Sequence, residues 1–122
     1  MNDEQAIGDL WRTMAEGWEN GDAAKFASVF GEHVDFVTVR GQEMVGRSQV
    51  EAGHKALFDS VYEKTRLVAD VRLIRPITKD HCLVHVTSTI LPVGLSTHAQ
   101  AVVTRQDGAW SITAFHNMIP LV

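Results

Sequence analysis

Thr97-His98-Ala99-Gln100-Ala101-Val102-Val103-Thr104-Arg105-Gln106-Asp107-Gly108-Ala109-Trp110-Ser111-Ile112-Thr113-Ala114-Phe115-His116-Asn117 is the stretch that decides the fold. Asp107-Gly108 is a two-residue hairpin turn of the kind whose backbone twist matches that of two flanking antiparallel strands. Folding the chain about it makes strands of about 97–106 and 109–118. Alternation then puts Ala99, Ala101 and Val103 on one face with Trp110, Ile112, Ala114 and His116. That face is apolar except at its last member, so it covers a core. The other face carries His98, Gln100, Thr104, Ser111, Thr113, Phe115 and Asn117 and is mixed. Strict alternation aims Asn117 away from the core, and only a bulge in the last strand would bring it round.

Two further strands, at about 65–75 and 81–91, precede this hairpin. Pro76 closes the first, Lys79-Asp80 turns into the second, and Pro92-Val93-Gly94 forms the next loop. Short connections in succession make an antiparallel meander. The N-terminal half is mainly helical. Ile7, Leu10, Trp11, Met14 and Trp18 form the buried stripe of a helix from about Asp3 to Glu19, and Asn20-Gly21 ends it. Asp22 caps a short second helix with Phe26, Val29 and Phe30 on its apolar face. Val34 to Val39 is a strand, Gly41 turns it, and Glu43-Met44-Val45 returns before Gly46 admits a third helix. Helices followed by strands indicate one α+β domain over residues 1–122.

The third helix carries an ionisable residue in its apolar stripe. Ser48-Gln49-Val50-Glu51 reads as a capping box. Behind it Val50, His54, Leu57, Phe58, Val61 and Tyr62 recur at helical spacing. His54 therefore points into the protein, either as a satisfied core histidine or as part of a cavity wall. His116 reaches the same inner surface from the last strand.

Composition narrows the partners. The formal net charge is −4, and the arginines are dispersed with no basic run, which argues against nucleic acid. Cys82 is the single cysteine, so no intrachain disulfide forms and its reading is a small buried strand residue. The acidic start Met1-Asn2-Asp3-Glu4 leads into no apolar run, so neither a secretory leader nor a membrane span is expected, and the expected compartment is the cytoplasm.

Several residues together carry a resemblance: Asn20-Gly21-Asp22, Phe26, Val29-Phe30, the Asp35–Val39 strand, Gly41, Gly46-Arg47 and the closing Asp107-Gly108-Ala109-Trp110-Ser111-Ile112. In this order, over nearly the whole chain, they resemble the nuclear-transport-factor-2-like superfamily, also called SnoaL-like or ketosteroid-isomerase-like. Asp35-Phe36-Val37-Thr38-Val39, Gly41, His54 and Ala114-Phe115-His116-Asn117 look most like its SgcJ/EcaC group. The resemblance implies a conical, cystatin-like barrel: three helices packed on a curved, mainly antiparallel sheet, with a pocket between them. It does not imply a chemistry. Where ketosteroid isomerases place their basic aspartate this chain has Thr38. Their oxyanion-hole tyrosine matches Met14, and the second oxyanion residue falls near Ala99 and Ala101. That mechanism is absent. Asp70 and Arg72 share a strand face as in an epoxide hydrolase, but Val68 and Ile74 share it too and no second inward carboxylate is evident.

No metal site is expected. His81 and His85 lie on one strand face but about 13 Å apart by strand rise, and there is no C-x-x-C or helical H-x-x-x-H. Gly41, Gly46 and Gly53 do not make a dinucleotide fingerprint, and no cofactor is expected. The reading is a small-molecule-binding protein, or a cofactor-free auxiliary enzyme, for a hydrophobic polyketide- or terpenoid-like ligand. His54 and His116 are the candidate catalytic groups, with His54 as base. Trp18, Thr38, Met44, Phe58, Trp110 and Asn117 are the candidate ligand contacts. The alternative is a non-enzymatic interaction module whose cone is filled by side chains. In either case the outer sheet face, with Val102, Phe115 and a row of threonines, suits a homodimer contact.

Overall fold

The computed structural model describes residues 2–121. Met1 and Val122, the ends of the predicted domain, lie outside them. The elements are α1 (Asp3–Glu19), α2 (Ala23–Ala27), β1 (Phe30–Val37), β2 (Glu43–Val45), α3 (Arg47–Phe58), β3 (Arg66–Thr78), β4 (His81–Leu91), β5 (Leu95–Gln106) and β6 (Ala109–Met118). One six-stranded sheet runs in the order β2-β1-β6-β5-β4-β3. β1 lies parallel to β6, and every other neighbour is antiparallel. The curved sheet stays open, with β2 and β3 as its edges, which corrects the expected barrel to a cystatin-like cone. No helix among the described residues is long and apolar enough to cross a membrane.

The core sits between the helices and the concave sheet face. Ile7, Trp11 and Met14 of α1 belong to one buried cluster with Val84 and Val86 of β4, Ala101 and Val103 of β5 and Ile112 of β6. Asn2 caps α1 by accepting a hydrogen bond from Gln5 N at 2.7 Å. Gly17 allows α2 to lie against α1: a Cβ there would stand 2.6 Å from the Phe26 backbone nitrogen. Asp107 and Gly108 both have positive φ, 53° and 79°, as the hairpin reading requires.

Four local expectations are corrected. α3 begins at Arg47 with Gly46 as its cap, so Ser48 lies inside the helix and makes no capping box. Gln49 instead turns back to accept from Val45 N at 2.9 Å. The helix ends at Phe58, which leaves Val61 exposed. Phe30 belongs to β1 rather than to the second helix. Pro76 lies within β3, where an edge strand tolerates a residue that cannot donate to the ladder.

A fifth departure decides the site. Val103 pairs with Ile112 but Val102 pairs with Ala114, so Thr113 is an extra, unpaired residue in β6. The bulge shifts the alternation by one position from there onward. Phe115 and Asn117 turn inward, and Ala114 and His116 turn outward.

Candidate functional site

The cone is hollow. Helices and sheet enclose a cavity of about 360 Å³. Its floor and walls are apolar: Trp11, Met14 and Trp18 from α1, Phe26 from α2, and Phe36 and Phe115 from the paired strands β1 and β6. A filled cone would have required these side chains to meet across the centre. The exposed Arg40 and Gln42, on the turn between β1 and β2, stand at the mouth.

Trp18 forms a wall whose polar end is satisfied. Its indole Nε1 donates to Thr65 Oγ1 at 2.8 Å, and that hydroxyl donates to Tyr62 O at 2.6 Å. Only the apolar ring is left for the cavity. Phe58 braces this ring from behind at 5.0 Å between centroids and does not line the space. Met44 does line it, lying over Gly53, where a Cβ would come within 2.6 Å of the Met44 methyl.

His54 lines the cavity and is 8% exposed. Its Nδ1 lies 2.7 Å from Val50 O. A carbonyl only accepts, so Nδ1 carries the hydrogen and Nε2 holds a lone pair. Among the described residues nothing donates to that lone pair. Burial holds the His54 pKa below 6.5, with the Val50 carbonyl opposing the shift by favouring the charged ring. The neutral form, which is an acceptor and a base at Nε2, prevails at neutral pH.

Asn117 also lines the cavity, and its buried Oδ1 has no hydrogen-bond partner among the described residues. An unpaired buried carbonyl oxygen is costly, and in a native structure it signals a missing donor. Thr38 lies in the wall too, but its hydroxyl accepts from Arg40 N and Gln42 N, at 3.3 and 3.2 Å, and serves mainly to fold the turn.

Of the residues expected at the site, the structure brings together His54, Trp18, Thr38, Met44 and Asn117. His116 is exposed on the convex face, in a separate groove of about 300 Å³ with Asp35, Val37, Leu83 and Gln100. Its expected place opposite His54 is corrected by the Thr113 bulge. Trp110 lies elsewhere: its Nε1 donates to Asp3 Oδ1 at 3.3 Å and Arg105 stacks 5.2 Å from the ring. Asp70 and Arg72 form an exposed ion pair at 3.1 Å, away from the cavity. His85 Nδ1 and His98 Nε2 are hydrogen-bonded at 2.8 Å across β4 and β5, also on the convex face.

Sequence reasoning did not name Thr97, Ser88, Phe36 or Phe115 as lining residues. Thr97 shares the alternation of Ala99 and Ala101, so its inward position was available from the pattern. Phe115 was not, because nothing in the residue types marks Thr113 as the bulge.

The sequence profile of the SnoaL-like domain family matches residues 7–121. The chain belongs to the SnoaL-like domain family. A Nostoc punctiforme domain of unknown function with a cystatin-like fold is 31% identical, with a TM-score of 0.91 over 98% of this SnoaL-like chain and 78% of its own. A Streptomyces avermitilis protein, provisionally named a dehydratase of the nuclear-transport-factor-2-like family, is 20% identical (TM-score 0.81, 98% of each chain). A Novosphingobium aromaticivorans protein, provisionally named a scytalone dehydratase, is 12% identical (TM-score 0.83, covering 98% of this chain and 85% of that one). These last two show the fold alone. No curated protein matches the chain.

Proposed function

We propose that this SnoaL-like domain binds a hydrophobic small molecule, polyketide- or terpenoid-like in character, through a hydroxyl group of that molecule. One observation carries the reading: an apolar chamber contains a buried carbonyl oxygen with no donor, Asn117 Oδ1, together with the lone pair of His54 Nε2. Both groups accept, so the complementary ligand donates. Pockets of this kind are mostly apolar, with a few polar groups that fix orientation. His116, on the convex face, is not part of the proposal.

The test compares 2-naphthol with 2-methoxynaphthalene, which has the same ring system but no O–H, by thermal shift. 2-Naphthol stabilises the protein more than the ether does, and His54→Phe, which keeps a ring at that position, reduces the difference. Equal shifts for both compounds would remove the hydroxyl from the reading.

A catalytic reading is favoured by the structural neighbours provisionally named dehydratases. His54 Nε2 takes a proton from the carbon next to one bearing a hydroxyl, the C–O bond breaks, and the hydroxide departs with that proton as water. The ring ends neutral, so one base suffices; among the described residues the lining contains no carboxylate to share the work. No cofactor enters this step.

Two narrower readings stay proposals. Kinship with the SgcJ/EcaC group is carried by the Asp35–Gly41 and Ala114–Asn117 stretches. Homodimerisation through the convex sheet face is supported by Val68, Leu73 and Met118, each more than a third exposed there.

A further inference from the structure

Among the described residues, Arg40 is the one formally charged side chain that lines the cavity. The chain as a whole carries more acid than base, 15 against 11, yet among the described residues no Asp or Glu lines this space. Among the described residues, the ion pairs join Arg12 to Asp9, Lys25 to Glu16, Arg72 to Asp70, and Arg105 to Asp3 and Asp80. Arg40 is in none of them.

The guanidinium is also carried on a well-tied turn. Thr38 N donates to Gln42 O at 2.9 Å, Gly41 N donates to Thr38 O at 2.9 Å, and the Thr38 hydroxyl accepts from Arg40 N and Gln42 N. Gly41 has φ 79°, a conformation that glycine adopts without a Cβ clash. The turn therefore fixes the backbone of Arg40 and Gln42 at the mouth, so a cation and a neutral donor are carried there two residues apart.

We infer that the ligand of this pocket is amphipathic and carries a carboxylate, with its apolar body in the chamber and its acid group at the mouth on Arg40 and Gln42. The inference rests on the hydrophobic-pocket reading above and deepens it. An arginine fork matches the two oxygens of a carboxylate, and no Asp or Glu among the described lining residues competes for it. A cationic ligand would meet Arg40 with nothing to offset the repulsion. Because the guanidinium is exposed, its contribution is modest and is screened by salt.

The test measures binding of 10-hydroxydecanoate and of its methyl ester at pH 7.5 by quenching of tryptophan fluorescence, which Trp11 and Trp18 in the wall make sensitive to occupancy. Both probes carry the hydroxyl that the pocket reading requires, and only one carries a charge. Wild type binds the acid about fivefold more tightly than the ester at low salt, and the preference shrinks at high salt. R40Q loses the preference while still binding the ester, and R40K keeps part of it. Equal binding of both probes by wild type, or an unchanged preference in R40Q, overturns the acid-recognition inference and leaves the pocket reading standing. Binding of neither probe overturns both.

Discussion

The His54 imidazole lies against the Phe26 ring, with 4.2 Å between centroids and 28° between planes. The Val50 carbonyl holds its Nδ1 edge, and Phe36 and Phe58 approach it edge-on at 5.6 and 6.1 Å. Aromatic contacts on several sides and one backbone bond orient a ring whose charged form is disfavoured by its surroundings.

That environment makes folding pH-dependent. The folded-state pKa of His54 lies below the ordinary 6.5, so between these two values the unfolded chain binds the extra proton. This contribution leaves stability undiminished above 6.5. Stability then falls as pH drops through the window, by up to about 1.4 kcal/mol per pH unit, and the loss levels off below the folded pKa. Urea unfolding of wild type and His54→Phe from about pH 5 to 8 isolates the effect, with the variant showing the shallower slope.

Asn117→Leu exchanges an unpartnered carbonyl for an apolar group of similar size. Stability rises by about 1 kcal/mol, since the cost of the orphaned acceptor disappears. Affinity for 2-naphthol falls about tenfold, on the scale of one buried hydrogen bond. Denaturation midpoints and calorimetric titration read the two effects separately, and a loss of both stability and affinity would make Asn117 a structural residue only.

Gly17→Ala forces a methyl group onto backbone. The new Cβ would lie 2.6 Å from Phe26 N and 2.9 Å from Phe26 Cα, neither of which can swing aside. α1 and α2 must separate, at a cost of about 2 kcal/mol that outweighs the better helix propensity of alanine. A lower midpoint in chemical denaturation checks this.

Gly53→Ala meets only the flexible end of Met44, whose Cε would lie 2.6 Å from the new methyl. Stability therefore changes by no more than about 1 kcal/mol, with helix propensity favouring alanine. Met44 lines the cavity, so its displacement alters the relative affinities of 2-naphthol and decanol. Unchanged ligand ranking would place Met44 outside the binding space.

Trp110→Ala leaves the affinity for 2-naphthol unchanged. The indole is joined to Asp3 and Arg105 at the far end of the sheet and does not line the cavity. Calorimetric titration of the variant checks it.

The architecture was legible because local signals agreed with one another. The stripe on α1, the Asp107-Gly108 turn and the alternation of Ala99, Ala101 and Val103 each predict the element that forms. The site was legible on the helices, where a steady period carries Trp18 and His54 to their places. It failed along β6, because alternation has no internal marker for a skipped position, and one unpaired residue exchanged His116 for Asn117. Trp110 was misplaced for a different reason. It lies at the end of the inner face where the indole reaches the surface and finds a carboxylate, and periodicity does not say how far along a sheet a hollow extends.

β6 thus holds two complete inner surfaces in one run of residues: Phe115 with Asn117, and Ala114 with His116. Sliding the irregularity at Thr113 toward the C-terminus would trade a phenyl and a carboxamide for a methyl and an imidazole without replacing any amino acid. Descendants of such a strand could acquire a second base opposite His54 by a shift in pairing alone.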